Sequence, residues 1–258
     1  EENVENNLTI NEEKQDKEKF VTAITGDTYD SDSQKEYRKS GVIKKDNAAT
    51  YNFTYEKSSV ATTGSSVDTV NDVVINLDGN ELNLTSATAP TILANNNVTI
   101  NDIGALDINN GIEVTKDKIV TAILEDATSK IEADVLAGEG TVKVVLNDGT
   151  WDGNNAGIVK VEDGAWNGSN DGTVAFENGT WNGSSSGTAN VTDATWLGDN
   201  TGTATLTNVT WTGKNIGETT EVVLKDSTWT GYSAADNFAI NLSNQKRMEL
   251  LNSKLKKR

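Results

Sequence analysis

The stretch WNGSNDGTVAFENGTWNG at residues 166–183 holds one complete unit of a repeat and the start of the next. Each unit opens with a Trp-x-Gly triplet, and the tryptophans recur every 15 residues until a last interval of 18. The six tryptophans are Trp151, Trp166, Trp181, Trp196, Trp211 and Trp229. An Asp or Asn precedes each of them by three residues, in the column Asp148, Asp163, Asn178, Asp193, Asn208 and Asp226. Columns that match over this many units indicate a true internal repeat.

Two apolar columns stand two residues apart in every unit. Aligned on the tryptophans, the first is Val144, Val159, Val174, Ala189, Ala204 and Val222, and the second is Leu146, Val161, Phe176, Val191, Leu206 and Leu224. Residues i and i+2 share one face of a strand, so this pattern predicts a strand with one buried face. A single unit cannot bury that face alone, and neighbouring units must therefore stack.

Two architectures satisfy this pattern: a parallel solenoid with layers about 4.8 Å apart, and an antiparallel meander of hairpins. A two-residue type I′ hairpin turn needs a positive φ at both central residues. The residue after the Asp/Asn column is Val209 in one unit, and a β-branched residue rarely adopts a positive φ. We therefore predict an all-β fold built as a parallel β-solenoid.

The same alternation continues in wider form before the tryptophans. Val73 and Ile75 are followed about 24 residues later by Val98 and Ile100, so we predict wider rungs over residues 71–136 and 15-residue rungs over residues 137–232. In the segment that joins them, the spacing places Ile131 level with Leu146 and Leu136 level with Trp151.

We expect capping segments at both ends, because the open end of a solenoid exposes strand edges. Residues 1–70 form the predicted N-terminal cap, in which Thr9-x-x-Glu12 matches a helix capping box. Residues 233–258 form a basic C-terminal cap, in which Met248, Leu251 and Leu255 have helical spacing.

Charge and composition exclude several classes of function. The net charge of −17 argues against nucleic acid as a partner. The chain contains no Cys and no His, which removes thiol chemistry and the commonest general base, and it has no apolar run long enough for a membrane-spanning helix. All three arginines, Arg38, Arg247 and Arg258, lie outside the repeats. We therefore predict no catalytic site and no cofactor, with a polysaccharide-active enzyme as the last alternative.

Each repeated column has a structural and a functional interpretation. The tryptophans either fill the narrow core, which we favour, or present a stripe of rings to a ligand. The Asp/Asn column offers oxygen ligands to calcium, but Asn at 178 and 208 is explained by a ladder of hydrogen-bonded side chains without a metal. Thr173, Thr188 and Thr203 make a short threonine array, which would be the functional surface of an ice-binding solenoid. Ile158 and Glu218 interrupt the array, and Thr is a good strand residue in any case.

The two ends of the chain carry opposite charge. Residues 1–19 hold seven acidic and three basic side chains, whereas residues 246–258 hold six basic residues and one Glu. Opposite charges on the two ends of a rod favour head-to-tail contact, which can grow into a filament. The residues of this candidate interface are Glu12, Glu13, Lys246, Arg247, Lys254, Lys256, Lys257 and Arg258.

The phrases LTNVTWTG, VTDATWLG and LKDSTWTG, with NDVVINLDGNELNL earlier in the chain, resemble the passenger regions of bacterial autotransporters over roughly residues 70–232. The resemblance implies a right-handed parallel β-helix that is secreted or displayed on the bacterial surface. It also implies a role in adhesion or self-association, with a host-cell or matrix protein, a glycan or other copies of the chain as partners. The 15-residue rung is shorter than the usual passenger rung.

Overall fold

The computed structural model describes residues 89–217 and 219–234, together with residues 8–9, 41–46, 50–55, 58–61, 67–68, 72–77, 79, 81–85 and 237–243. These residues form strands, bridges and turns without a helix, and the strands of successive turns of the chain pair in parallel. The prediction of an all-β parallel solenoid is confirmed.

Three parallel ladders run along the coil. The long ladder contains β3 (Thr50–Tyr55), β6 (Asp72–Asn76), β9 (Val98–Ile103), β11 (Ile119–Leu124), β13 (Thr141–Val145), the first parts of β15 (Ile158–Trp166) and β16 (Thr173–Trp181), β17 (Thr188–Thr192), β19 (Thr203–Thr207), β21 (Thr219–Lys225) and β23 (Asn237–Ser243).

The tryptophan ladder contains β4 (Ser58–Ala61), β7 (Glu81–Thr85), β10 (Ala105–Val114), β12 (Lys130–Val135), β14 (Thr150–Asp152), the ends of β15 and β16, β18 (Thr195–Trp196), β20 (Thr210–Trp211) and β22 (Thr228–Trp229). The third ladder begins with β5 (Val67–Asp68), β8 (Ile92–Ala94) and the end of β10, and it continues as single bridges through Val135, Asn155, Asn170, Ser185, Asn200, Asn215 and Ser233.

The solenoid extends beyond both predicted boundaries. Its parallel stacking begins with β3 at Thr50, not at residue 71, and β23 adds a further layer up to Ser243, not 232. At the N-terminal end β1 (Leu8–Thr9) and β2 (Gly41–Asp46) pair antiparallel, and β2 covers the edge of β3. Thr9 of the predicted capping box lies in β1. Glu12 and the predicted C-terminal helix fall outside the described residues.

The layers are wide in the first half of the coil and narrow in the second, as the prediction of wide and narrow rungs requires, and the last two lengthen again to 18 residues. Paired residues of the long ladder are 25 apart at Val73 and Val98, 17 apart at Val142 and Val159, and 15 apart from Val159 to Val174. A shorter layer encloses a thinner core, so the inward positions in the second half must be filled by fewer side chains.

The predicted register is wrong at the junction. Val142 and Val144, not Val144 and Leu146, oppose Val159 and Val161. The reason is a corner with two additional residues, at which both Asn147 and Asp148 have positive φ values of 46° and 68°.

The predicted register of Ile131 and Leu136 is also wrong, as the pairing in the tryptophan ladder shows. Ile131 is the partner of Trp151 rather than a neighbour of Leu146, and the residue level with Asn155 is Val135. Leu136 therefore does not lie level with Trp151. Both errors come from extending the 15-residue spacing into layers that are longer.

The Asp/Asn column forms the corner between the long ladder and the tryptophan ladder. All six of its residues have φ between 50° and 68°, a left-handed conformation that Asn and Asp adopt more readily than other residues with a Cβ. Val209, which follows Asn208, does not have a positive φ, and its side chain is buried. The corner is therefore not a type I′ hairpin turn, which agrees with the choice of a solenoid over a meander.

The tryptophans stack inside the coil. Their side chains are between 0% and 6% exposed, and the ring centroids of successive tryptophans are 4.6–5.0 Å apart with nearly parallel planes. Stacked aromatic pairs contribute roughly 0.5–1.5 kcal/mol each beyond their burial. The interpretation of this column as core packing agrees with the structure.

Each indole N–H also bonds to the layer before it. Trp166 Nε1 donates to the Gly153 carbonyl oxygen at 2.8 Å, and Trp181 Nε1 donates to that of Gly168 at 2.9 Å. The third residue of each Trp-x-Gly triplet approaches the same carbonyl so closely that a Cβ on Gly183 would overlap the Gly168 oxygen. Glycine is therefore required at this position by close backbone approach.

We expect Gly183→Ala to lower the free energy of unfolding by roughly 2–3 kcal/mol, because the added methyl group separates two layers in the middle of the stack. Urea denaturation followed by tryptophan fluorescence measures this loss. Thr188→Ala, on the exposed surface of the long ladder, is the matched control and should change stability by less than about 0.5 kcal/mol. Equal effects of the two substitutions would contradict the close-approach argument.

Candidate functional site

The buried tryptophans cannot serve as a platform for a ligand, because their rings are closed off by the layers above and below. Binding must therefore use the outward-facing residues of the three ladders, the corners or the ends. The described outward residues fall into columns, because like positions of successive layers lie side by side at strand spacing.

A buried polar column was missed by the sequence analysis. Its members lie four residues after each tryptophan, and those of the first five units are between 0% and 1% exposed. They are Asn155, Asn170, Ser185, Asn200 and Asn215, with the half-buried Ser233 in the sixth unit. Every unit has Asn or Ser at this position, but the chain is rich in both residues. The recurrence could therefore not be distinguished from the overall composition.

Hydrogen bonds between layers satisfy this column. Asn155 Nδ2 donates to Asn170 Oδ1 at 2.7 Å, Asn170 Nδ2 donates to Ser185 Oγ at 3.0 Å, and Asn200 Nδ2 donates to Asn215 Oδ1 at 2.9 Å. Asn155 Oδ1 also accepts a bond from the Gly157 backbone N–H at 2.9 Å. The column holds neighbouring layers in register, and it is not accessible to a ligand.

We expect Asn170→Ala to cost about 1–3 kcal/mol, because the buried Asn155 amide loses one of its two acceptors in the next layer and keeps only the Thr173 carbonyl oxygen. Asn182→Ala is the matched control. The Asn182 side chain also bonds to the previous layer, with Nδ2 donating to Asn167 Oδ1 at 2.6 Å, but this pair is exposed to water. Its loss should cost well under about 1 kcal/mol. Thermal and urea unfolding of both variants tests the difference, and equal costs would contradict it.

Two side chains of the Asp/Asn corner column bond to each other. Asn208 Nδ2 donates to Asp193 Oδ1 at 2.5 Å, so the amide uses an oxygen that a calcium ion would need. Among the described residues, no group of three or more acidic side chains is arranged to hold a metal ion. The column is best described as a corner that hydrogen-bonds between layers.

The outer surface of the long ladder carries the threonine array. Thr173, Thr188 and Thr203 occupy adjacent layers, and all three are exposed. Because Ala204 pairs with Val222, the next residue of this column is Glu221, not Glu218 as the sequence spacing suggested. The array is therefore three layers long and ends at an acidic residue.

Charged side chains of the same surface meet where the layers shorten. Glu162 lies 2.7 Å from Lys160 Nζ and 3.3 Å from Lys143 Nζ, and its side chain is only 19% exposed. The hydrogen bond from Lys160 and the Lys143 ammonium hold the pKa of Glu162 below its usual value, against the opposing effect of burial. This ion pair links two layers across the junction.

We expect Glu162→Gln to lower the free energy of unfolding by about 0.5–1 kcal/mol at pH 7. A carboxyl whose folded pKa is lowered stabilises the fold above its ordinary pKa, and that contribution is lost as the pH falls through the lowered value. The cost of the substitution should therefore shrink towards pH 3. Urea denaturation at both pH values measures it, with Glu139→Gln, a change at an exposed carboxylate, as control. A cost that does not depend on pH would refute the ion-pair explanation.

Two carboxyl groups face each other on the outer surface of the tryptophan ladder. Asp107 and Glu132 are paired residues of adjacent layers. Partial burial, and then the charge of Glu132, raise the pKa of Asp107, while Lys130 bonds to Glu132 at 2.7 Å. Both side chains are exposed, and Lys130 neutralises part of the charge, so the arrangement is a surface cluster of charges.

The structure does not describe the residues of the candidate end-to-end interface. Glu12, Glu13, Lys246, Arg247, Lys254, Lys256, Lys257 and Arg258 all lie outside the described residues. Their role stays a prediction from the sequence.

No protein-family model, no curated protein and no solved structure matches the chain significantly. Among the residues that the structure describes, none forms a helix of the length and hydrophobicity needed to cross a bilayer.

Proposed function

We propose that the chain is a non-catalytic extracellular scaffold of the adhesin type, displayed on a bacterial surface or secreted. Its partners are a host-cell or matrix protein, a glycan or other copies of the chain, and it needs no cofactor. The observation that carries the proposal is that the inward polar groups of the coil form hydrogen bonds to neighbouring layers. The indole N–H groups and the buried Asn side chains bond to neighbouring layers, so they build a long repeated surface rather than a reaction centre.

The outer surface supports attachment rather than chemistry. Its columns are short polar side chains such as Thr188, Ser184 and Asn182, which are exposed and repeat layer after layer. Side chains of this kind form many weak hydrogen bonds along a partner, and repetition converts weak contacts into avidity. The net charge of −17 disfavours nucleic acid and other anionic partners.

Head-to-tail assembly into a fibre is the second candidate. The N-terminal edge of β3 is covered by the antiparallel strand β2, so parallel stacking of another copy directly on β3 is blocked. Assembly would instead rely on the opposite charges of residues 1–19 and 246–258.

Negative-stain electron microscopy of the full chain at low and high salt separates these two functions. We expect single rods at both salt concentrations, and binding of the chain to cultured host cells or immobilised matrix proteins. Filaments that disappear at high salt, and in a variant lacking residues 246–258, would replace the adhesin by the fibre subunit. A variant with Lys254, Lys256 and Lys257 changed to Gln keeps the chain length and serves as the charge control.

A polysaccharide-active enzyme is the third candidate, and the same preparation tests it. We expect no release of reducing ends or unsaturated products from a panel of polysaccharides. If products are released, and if Asp107→Asn or Glu132→Gln abolishes the release, then the chain is an enzyme and the scaffold proposal is wrong.

A further inference from the structure

The outer surface of the third ladder changes in its last two layers. Two outward columns flank the buried Asn/Ser column: Asn154, Ser169, Ser184, Asp199, Lys214 and Tyr232 before it, and Ala156, Asp171, Ser186, Thr201, Ile216 and Ala234 after it. The first four layers carry small or polar residues only. The last two introduce a long cation, a large aliphatic side chain and an aromatic ring.

These three side chains are neighbours. The bridge between Asn215 and Ser233 sets Lys214 level with Tyr232, and the Asn215 N–H donates to the Tyr232 carbonyl oxygen at 3.0 Å. Ile216 faces outward on the same side as Lys214, two residues further along the chain. Lys214 Nζ lies 5.6 Å from the centroid of the Tyr232 ring.

The layer below completes this group. The backbone N–H of Lys214 donates to Asp199 Oδ1 at 2.7 Å, which fixes the carboxylate beneath the lysine. Thr201 lies one layer below Ile216. We call Asp199, Thr201, Lys214, Ile216 and Tyr232 the tyrosine patch.

The aromatic ring of the patch is accessible. Tyr232 is 48% exposed and Ile216 is 44% exposed, and Tyr232 is the only exposed aromatic residue among those whose side chains the structure describes. Lys214, which lies over the ring, is itself exposed. A flexible lysine side chain can leave the ring face when a ligand approaches.

The patch coincides with an interruption of the repeat. The interval from Asn215 to Ser233 is 18 residues rather than 15, and the additional residues follow Ile216. The tryptophan stack is continuous across this interruption, because the rings of Trp211 and Trp229 stack at 4.6 Å. The buried polar column changes here, since Asn215 Nδ2 bonds to Thr220 Oγ1 of its own layer at 2.5 Å. The departure from the repeat therefore changes the outer surface while the tryptophan stack continues beneath it.

We propose that the tyrosine patch binds a neutral pyranose unit of a glycan. A pyranose has an apolar C–H face that packs on an aromatic ring, and hydroxyl groups around its edge. Tyr232 and Ile216 offer the apolar contact, the Asp199 carboxylate accepts bonds from hydroxyl groups, and the Lys214 ammonium donates to them. The inference rests on the proposed adhesin function and names one partner class for it.

Charge decides between ligand classes. Asp171 and Asp199 face outward on the same ladder of a chain with net charge −17, which disfavours an acidic sugar. The Lys214 ammonium belongs to the patch even when its side chain leaves the ring face, and its charge disfavours a basic peptide side chain beside Tyr232. A neutral sugar is repelled neither by the carboxylates nor by the lysine.

Saturation-transfer NMR and calorimetry with the full chain test the patch. The probes are hexasaccharides of glucose, mannose, galactose and N-acetylglucosamine, with a Lys-rich peptide as the competing class. We expect at least one hexasaccharide to bind. Tyr232→Ser should weaken binding by about tenfold or more, and Tyr232→Phe should keep it, because stacking does not need the hydroxyl.

Leu197→Ser is the matched control, since Leu197 is an exposed apolar residue on the tryptophan ladder and its change should leave binding unaltered. Unfolding curves of all variants establish that the fold is intact. The proposal is overturned if no hexasaccharide binds, if Tyr232→Ser binds as well as the unchanged chain, or if only the basic peptide binds.

The same variants keep this inference distinct from the proposed function. Attachment of the chain to cells that Tyr232→Ser does not weaken, with no hexasaccharide bound, would refute the patch and leave the adhesin function standing. Hexasaccharide binding that depends on Tyr232, without attachment to any cell or matrix, would support the patch and refute the adhesin function.

Discussion

The bond from the indole N–H to a backbone carbonyl of the preceding layer, which is a glycine carbonyl for every tryptophan after Trp151, is the constraint on which the narrow half of the solenoid depends. A buried indole needs an acceptor, and the Gly153 carbonyl supplies it to Trp166. The acceptor is reachable only because the backbones approach closely at Gly168, where a Cβ has no room. Tryptophan and glycine therefore act as one unit, and the distance between them sets where each layer turns. The stacking of the rings then aligns every layer with the next.

The buried amides follow from the same narrowing. In the wide layers the inward position of the third ladder is apolar, as at Ile112 and Val135, and in the next layer Asn155 takes that place. A buried amide is tolerated only where its donors meet acceptors, and the parallel stack supplies one in the next layer for Asn155, Asn170 and Asn200. An apolar column tolerates small displacements between layers, whereas an amide column requires one register. The thin core therefore fixes the register between layers through the amide column, although it buries fewer apolar side chains.

Much of this fold could be predicted from the sequence because the repeat is nearly perfect. The 15-residue spacing of the tryptophans and the alternation of Val174 and Phe176 are sufficient for a stacked strand with one buried face. The poor fit of Val209 to a left-handed turn selected the solenoid over the meander. The errors arose where layers differ in length: the corner at Asn147 and Asp148 shifted the register of Val142, and the weaker alternation at both ends concealed how far the stack extends. The buried amides were not distinguished because Asn and Ser are common on both the inside and the outside of this chain.

A repeated surface and a specific site make opposite demands on sequence. Equal layers present equal columns, so a partner that recognises Thr173 meets Thr188 and Thr203 in the same way, and the contact gains avidity without a unique position. A unique position requires a layer that differs from its neighbours while the core beneath it stays stacked. The layer after Ile216 satisfies both conditions, since the tryptophans stack through it while its exterior changes, and the Asn215 amide is satisfied by Thr220 of its own layer. The additional residues at Asn147 lie instead where the core itself narrows, and the conversion from Val135 to Asn155 gives them a structural reason. The interruption after Ile216 is the one that leaves the tryptophan stack in place and sets a different exterior beside it, which is the combination that a unique contact with a partner needs.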